Sequence, residues 1–152
     1  MPILDKSEKK VIMITGAVLA LFVFSVLYAK DKYSNVPECV PFDKAFTEPK
    51  VEKLDDNLYQ VFAVASMWSF EPAQIYIPTG SEVDIFLSSK DVVHGFNIYE
   101  KNLNMTAIYG SINKTTVKFD EPGVYKITCH EYCGVGHQNM QAEVIVHQPQ
   151  TK

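Results

Sequence analysis

Among 152 residues there are 14 basic side chains, all lysine, against 18 Asp and Glu, so the chain carries a formal charge of −4. That length allows one domain of ordinary size and a short appendage. An acidic chain without arginine is a poor nucleic-acid binder, because phosphate recognition needs clustered positive charge.

The charge is unevenly spread. Residues 1–32 hold five Lys against three acids, and residues 33–152 hold nine against fifteen, so the first segment is +2 and the remainder −6. That −6 either draws basic partners or only keeps the domain soluble. Residues 1–10 read as a short basic tail with Lys6, Lys9 and Lys10. The 19 residues from Val11 to Ala29 then contain no charged side chain. As a helix they would extend about 28 Å at roughly 1.5 Å per residue, close to the thickness of a bilayer core. Lysines flank the run on both sides, and Tyr28 stands where an interfacial aromatic belongs. A cleaved signal peptide is the competing reading. The apolar stretch exceeds an ordinary signal core of about 7 to 15 residues, and Leu27 is poorly suited to a cut at Ala29, so an uncleaved membrane helix over 11–29 is preferred. The lysines of the tail favour a cytoplasmic N-terminus, with the remaining residues outside the cytoplasmic membrane.

Residues 30–56, rich in charge and proline without a clear period, read as a linker. From Asn57 to the C-terminus the texture is that of strands. Segments 58–65, 74–78, 82–88, 92–99, 115–119, 123–128 and 142–146 are short, β-branched or aromatic, and partly alternating. Turn residues fall at Pro78-Thr79-Gly80-Ser81 and Glu121-Pro122-Gly123. Seven short strands at this spacing predict an all-β domain over 57–152, a Greek-key β-sandwich or barrel, preceded by the single helix.

The loop between the last two strands carries the chemistry. Cys129-His130-Glu131-Tyr132-Cys133-Gly134-Val135-Gly136-His137-Gln138-Asn139-Met140 packs two thiols, an imidazole and a thioether into twelve residues, and His94 lies on another extended segment at Asp91-Val92-Val93-His94-Gly95-Phe96. Thiolate, thioether and imidazole together favour copper over calcium, magnesium or manganese. Two Cys at this spacing leave zinc open, but a Met counts against it. In an oxidising compartment Cys129 and Cys133 could instead form a local disulfide. A single-copper site of the blue type needs one Cys, two His and a Met, so the second thiol is surplus to it. Gly134 and Gly136 fit a tight turn between Cys133 and His137. Cys39, between Pro37 and Pro41, reads as a buried or free thiol, His130 and His147 as surface or hydrogen-bonding residues, and Met105 and Met67 as core. Asp91 is either an outer hydrogen-bond partner of His94 or a simple turn acid.

The pattern C-x3-C-x3-H-x2-M with a distant His resembles the binuclear CuA domain of subunit II of haem-copper oxidases. The resemblance runs almost end to end, and the single anchor and the Gly-x-Gly-His-Gln-Asn-Met ending are most similar to the compact B-type (ba-type) bacterial oxidases. It implies a cupredoxin-type fold, with Cys129 and Cys133 bridging two coppers, His94 and His137 each capping one, Met140 as a weak axial ligand and the Glu131 carbonyl as the other. Compact members tend to carry Gln where Glu131 stands, and larger ones a Glu that also touches magnesium; Glu131 is expected to offer its carbonyl alone. The resemblance further implies that Trp68 lies over the copper site and admits electrons from cytochrome c, although an aromatic there also serves as plain packing. The expected function is the subunit through which electrons enter a membrane cytochrome c oxidase, passing them to haem in a partner, subunit I, that reduces oxygen. With no haem-attachment Cys-x-x-Cys-His and only one expected span, the oxygen site is expected in another polypeptide. A copper subunit of a nitric oxide reductase, or a stand-alone anchored copper carrier, are the alternatives.

Overall fold

The computed structural model describes residues 5–33, 38–39 and 46–148, with side chains of 31–33 and 38–39 excepted. Residues 1–4 of the expected tail, 34–37 and 40–45 of the expected linker, the last four residues and the Cys39 side chain lie outside that description. The chain divides into two compact units, residues 1–34 and 35–152.

The first unit is one helix, α1 (Lys6–Tyr33). Asp5 caps it: Oδ1 accepts from the backbone N–H of Ser7 at 2.6 Å and of Glu8 at 2.9 Å, while Glu8 Oε2 accepts from the Asp5 N–H at 2.9 Å. This reciprocal box satisfies donors that the first turn leaves free. The apolar run expected over 11–29 sits inside α1, and its side chains, Phe22, Phe24 and Leu27 among them, are exposed. A helix apolar all round has no polar face to offer water, and α1 is long and apolar enough to cross a membrane.

The second unit contains β1 (Glu38–Cys39), β2 (Lys50–Asp55), β3 (Leu58–Ser66), β4 (Ser69–Glu71), β5 (Gln74–Pro78), β6 (Ser81–Ser89), β7 (His94–Ile98), β8 (Leu103–Ala107), β9 (Asn113–Phe119), β10 (Gly123–Thr128) and β11 (Gln141–His147). They form two sheets, β1-β9-β6-β3-β2 with β4 beside β3, and β5-β11-β10-β7-β8. Two separate sheets make this a sandwich. Strict alternation explains the burial: in β9, Asn113, Thr115, Val117 and Phe119 face inward and the residues between them do not, and β11 buries Ala142, Val144 and Val146. Phe70 and Phe96 meet edge to face in the core, 5.4 Å between centroids.

Part of the expected linker is strand. Lys50–Asp55 pairs with β3 as β2, and Glu38–Cys39 pairs with β9. Four of the six β2 residues are charged and the strand is almost wholly exposed, as suits a sheet edge, so its alternation is hidden in a run that reads as polar linker.

Two features of this architecture prepare the site. Antiparallel β10 and β11 end in register at Thr128 opposite Gln141, so residues 129–140 form their connection, and the Cys129 N–H to Met140 carbonyl bond of 3.2 Å closes its neck. Thr128 also pairs with Asn97 of β7, which brings the start of that strand, His94, to the same end of the sheet.

Candidate metal centre

His94 is fully buried. Its Nε2 lies 2.7 Å from Asp91 Oδ1, and its Nδ1 is a buried polar atom with no partner in the protein. When Nε2–H donates its hydrogen bond to the carboxylate, Nδ1 keeps its lone pair, the form an imidazole needs to bind a metal. The ligand atoms of His94, Cys129 and Cys133 lie within 4.8 Å of one another. The two sulfurs are 3.7 Å apart, and neither cysteine is in a disulfide.

The rest of the loop gathers on Cys133. Its Sγ lies 3.7 Å from His137 Nδ1 and 3.8 Å from Met140 Sδ, and Cys129 Sγ lies 3.2 Å from the Glu131 carbonyl. Met140 is buried, as is Cys133. Burial pushes the Cys133 thiol up to about 11, with the hydrogen bond and charge of neighbouring Cys129 adding to it. A bound cation would reverse that balance, because it stabilises the thiolate it touches. At Asp91 burial raises the pKa, but hydrogen bonds from His94 and from the backbone N–H groups of Met67 and Val92 outweigh it, so the carboxyl sits below its ordinary range.

Local sequence explains the loop's shape. Gly134 has φ of 118°, a left-handed angle that side chains resist. The next turn is a short 3-10 segment, His137–Asn139, with N–H to carbonyl bonds from His137 to Gly134 and from Met140 to His137. This turn aims His137 and Met140 back at Cys133.

Every side chain expected at the site is thus at this end of the sandwich. Trp68, 40% exposed on the turn between β3 and β4, gives its Nε1–H to the Cys133 carbonyl at 3.1 Å. Glu131 turns its carboxylate outward, 3.8 Å from His130 Nε2. The His130 ring packs on Gly95, where a Cβ would stand 2.6 Å from its Cγ. Met105 is core, as expected, and His147 is exposed. Met67 is not core: it lies half exposed on the tight β3–β4 turn. The sequence alone leaves Asp91 open as a hydrogen-bond partner of His94 or a turn acid. The bonds from Met67 to Asp91 and from Trp68 to Cys133 span 24 and 65 residues and leave no local signal.

The donor set fits copper. Two thiols, two imidazoles and a thioether are soft or borderline ligands, and the unpartnered Nδ1 faces an otherwise sulfur-rich pocket. Against known families, residues 24–148 match the cytochrome c oxidase subunit II periplasmic domain. The chain belongs to the cytochrome c oxidase subunit II family. A Thermus thermophilus relative, "Cytochrome c oxidase subunit 2", is 37% identical over 90 residues, covering 59% of this chain and 67% of that one. A chain in the cryo-EM structure of a heme-copper terminal oxidase dimer is 40% identical, covers 93% of this chain and 100% of its own, and superposes with a TM-score of 0.77. The crystal structure of the periplasmic domain of subunit II of cytochrome oxidase from Bradyrhizobium japonicum, 19% identical with a TM-score of 0.55 over 59% of this chain and 83% of that one, shares the fold. The sandwich is therefore of the expected cupredoxin-like kind. The expected role, a subunit that feeds electrons into a haem-copper oxidase, is that of this subunit II family.

Proposed function

We propose that this chain accepts electrons from a cytochrome c at a two-copper CuA centre and delivers them to haem in a catalytic subunit I, where oxygen is reduced to water. The observation that carries this reading is the convergence of His94, Cys129 and Cys133 around an unpartnered imidazole nitrogen, with His137 and Met140 on the second sulfur. Cys129, Cys133, His94 and His137 would hold the copper, with Met140 and the Glu131 carbonyl as weaker ligands. A copper pair held so would share one electron through two sulfurs, which keeps bond-length changes on reduction small.

The protein's own contribution is to hold that geometry. Asp91 fixes the tautomer and the rotation of His94, Gly134 folds the loop, and burial of Cys133 and Met140 keeps water from the sulfurs. Trp68, exposed on one side and bonded to the Cys133 carbonyl on the other, is the residue through which electrons would arrive. The helix α1 would anchor the chain in the cytoplasmic membrane, with residues 1–10 in the cytoplasm and the sandwich on the outer face. Residues 11–29 would cross the bilayer, and the sandwich, expected from residue 57, takes in β2 as well.

Mild detergent extraction tests the reading. A haem-bearing polytopic subunit should co-purify, reduced cytochrome c should reduce the copper, and the complex should consume oxygen. A copper chain that purifies alone would support a free carrier, and turnover of nitric oxide in place of oxygen would support a reductase of that gas.

A further inference from the structure

The short hairpin turn that joins β3 to β4 is bonded to both ligand-bearing segments at once. On one side the Met67 N–H donates to Asp91 Oδ2 at 2.7 Å, and the other oxygen of that carboxylate holds His94 Nε2. On the other side the Trp68 Nε1–H donates to the Cys133 carbonyl. The indole also lies along the backbone of the loop. A Cβ on Gly134 would stand 3.1 Å from Trp68 Nε1, and a Cβ on Gly136 would stand 2.6 Å from Trp68 Cγ and 2.7 Å from Cε3. The ring occupies the space that side chains at 134 and 136 would need.

Gly136 has φ of −93° and ψ of 3°, a negative-φ turn conformation that residues other than glycine also adopt. The backbone therefore does not require glycine there. The requirement comes from the indole.

We infer that Trp68 is a positioning residue for the loop: its N–H and its ring face, seated on Gly134 and Gly136, hold the Cys133–His137 turn so that Cys133 stays between Cys129, His137 and Met140. This role is separate from electron arrival, which asks only for an exposed aromatic near the metal. It rests on the copper reading for its metal-dependent measurements and stands apart from it for the others. The geometry also makes the hairpin a brace across the site, since one turn restrains the imidazole through Asp91 and the thiol through the loop backbone.

Trp68→Phe separates the two roles, because it keeps an aromatic face on the glycines and removes the N–H. In the full-length copper-free chain in detergent, amide hydrogen exchange over residues 133–140 should rise about tenfold, the effect of one lost hydrogen bond. Exchange in β6 and β9 should stay at the native level, which shows the fold intact. In the copper-loaded chain, copper release to a chelator should accelerate by about the same factor, with an altered copper spectrum. Gly136→Ala should reproduce the loop defect when Trp68 is present and lose its effect in a Trp68→Gly background, where the added methyl has room. Native exchange over 133–140 in Trp68→Phe, or an equal effect of Gly136→Ala in both backgrounds, would overturn the inference. Should the native chain take up no copper, the copper reading falls, while loop exchange in the copper-free variants still decides the role of Trp68.

Discussion

His94 is a fully buried ring with one nitrogen hydrogen-bonded to Asp91 and the other without a partner. An orphaned buried polar atom costs about 1–3 kcal/mol, and an ion on that side would offset it. Loss of the outer hydrogen bond should therefore weaken metal binding without removing a ligand. Asp91→Ala is expected to lower copper affinity about 10- to 100-fold, measured by competition with a chelator, and unchanged affinity would reduce Asp91 to a turn acid. Cys133 predicts a pH dependence. Its thiol, pushed up to about 11 by burial, is protonated near neutrality, so copper must displace a proton to bind it. Uptake should tighten as pH rises from 6 to 8 and release protons; uptake indifferent to pH would contradict the thiolate assignment. Met140 is expected to be a weak ligand. Met140→Leu should retain both coppers and shift the reduction potential, as checked by spectroelectrochemistry. That Cys129, Cys133, His137 and Met140 gather in one loop could be read from their spacing, whereas the bond from Trp68 to Cys133 could not, because the two residues are 65 positions apart.

Strands show the same division between local and distant information. Each of the seven expected strands is present, with ends within two residues, because each is a run of β-branched, aromatic or partly alternating residues. Four others carry too little pattern to be legible in the sequence, for physical reasons. β1 has two residues and β4 three, too short for any period, and β2 is a charged edge. β8 does alternate, burying Leu103, Met105 and Ala107, but its weak β-formers Asn104 and Ala107 disguise it. The edge-to-face pair of Phe70 and Phe96 joins β4 of one sheet to β7 of the other, just two residues from His94. Phe70→Ala should destabilise the fold by about 3–5 kcal/mol, seen as a lowered Tm, with a loss under about 1 kcal/mol showing that the contact is dispensable.

At the scale of the whole molecule, the chain combines a helix long and apolar enough to cross a membrane with an acidic sandwich that carries soft ligands at one end. Deletion of residues 1–33 should move the protein from the membrane fraction to the soluble fraction, and continued membrane association would place the attachment elsewhere.

The copper content and electron paramagnetic resonance spectrum of the purified, copper-loaded full-length chain test the central claim most directly. The ligand set predicts two coppers per chain and one unpaired electron divided equally between two copper nuclei. A single copper per chain, tightly held zinc, or a Cys129–Cys133 disulfide in the chain as purified from its native membrane would contradict it.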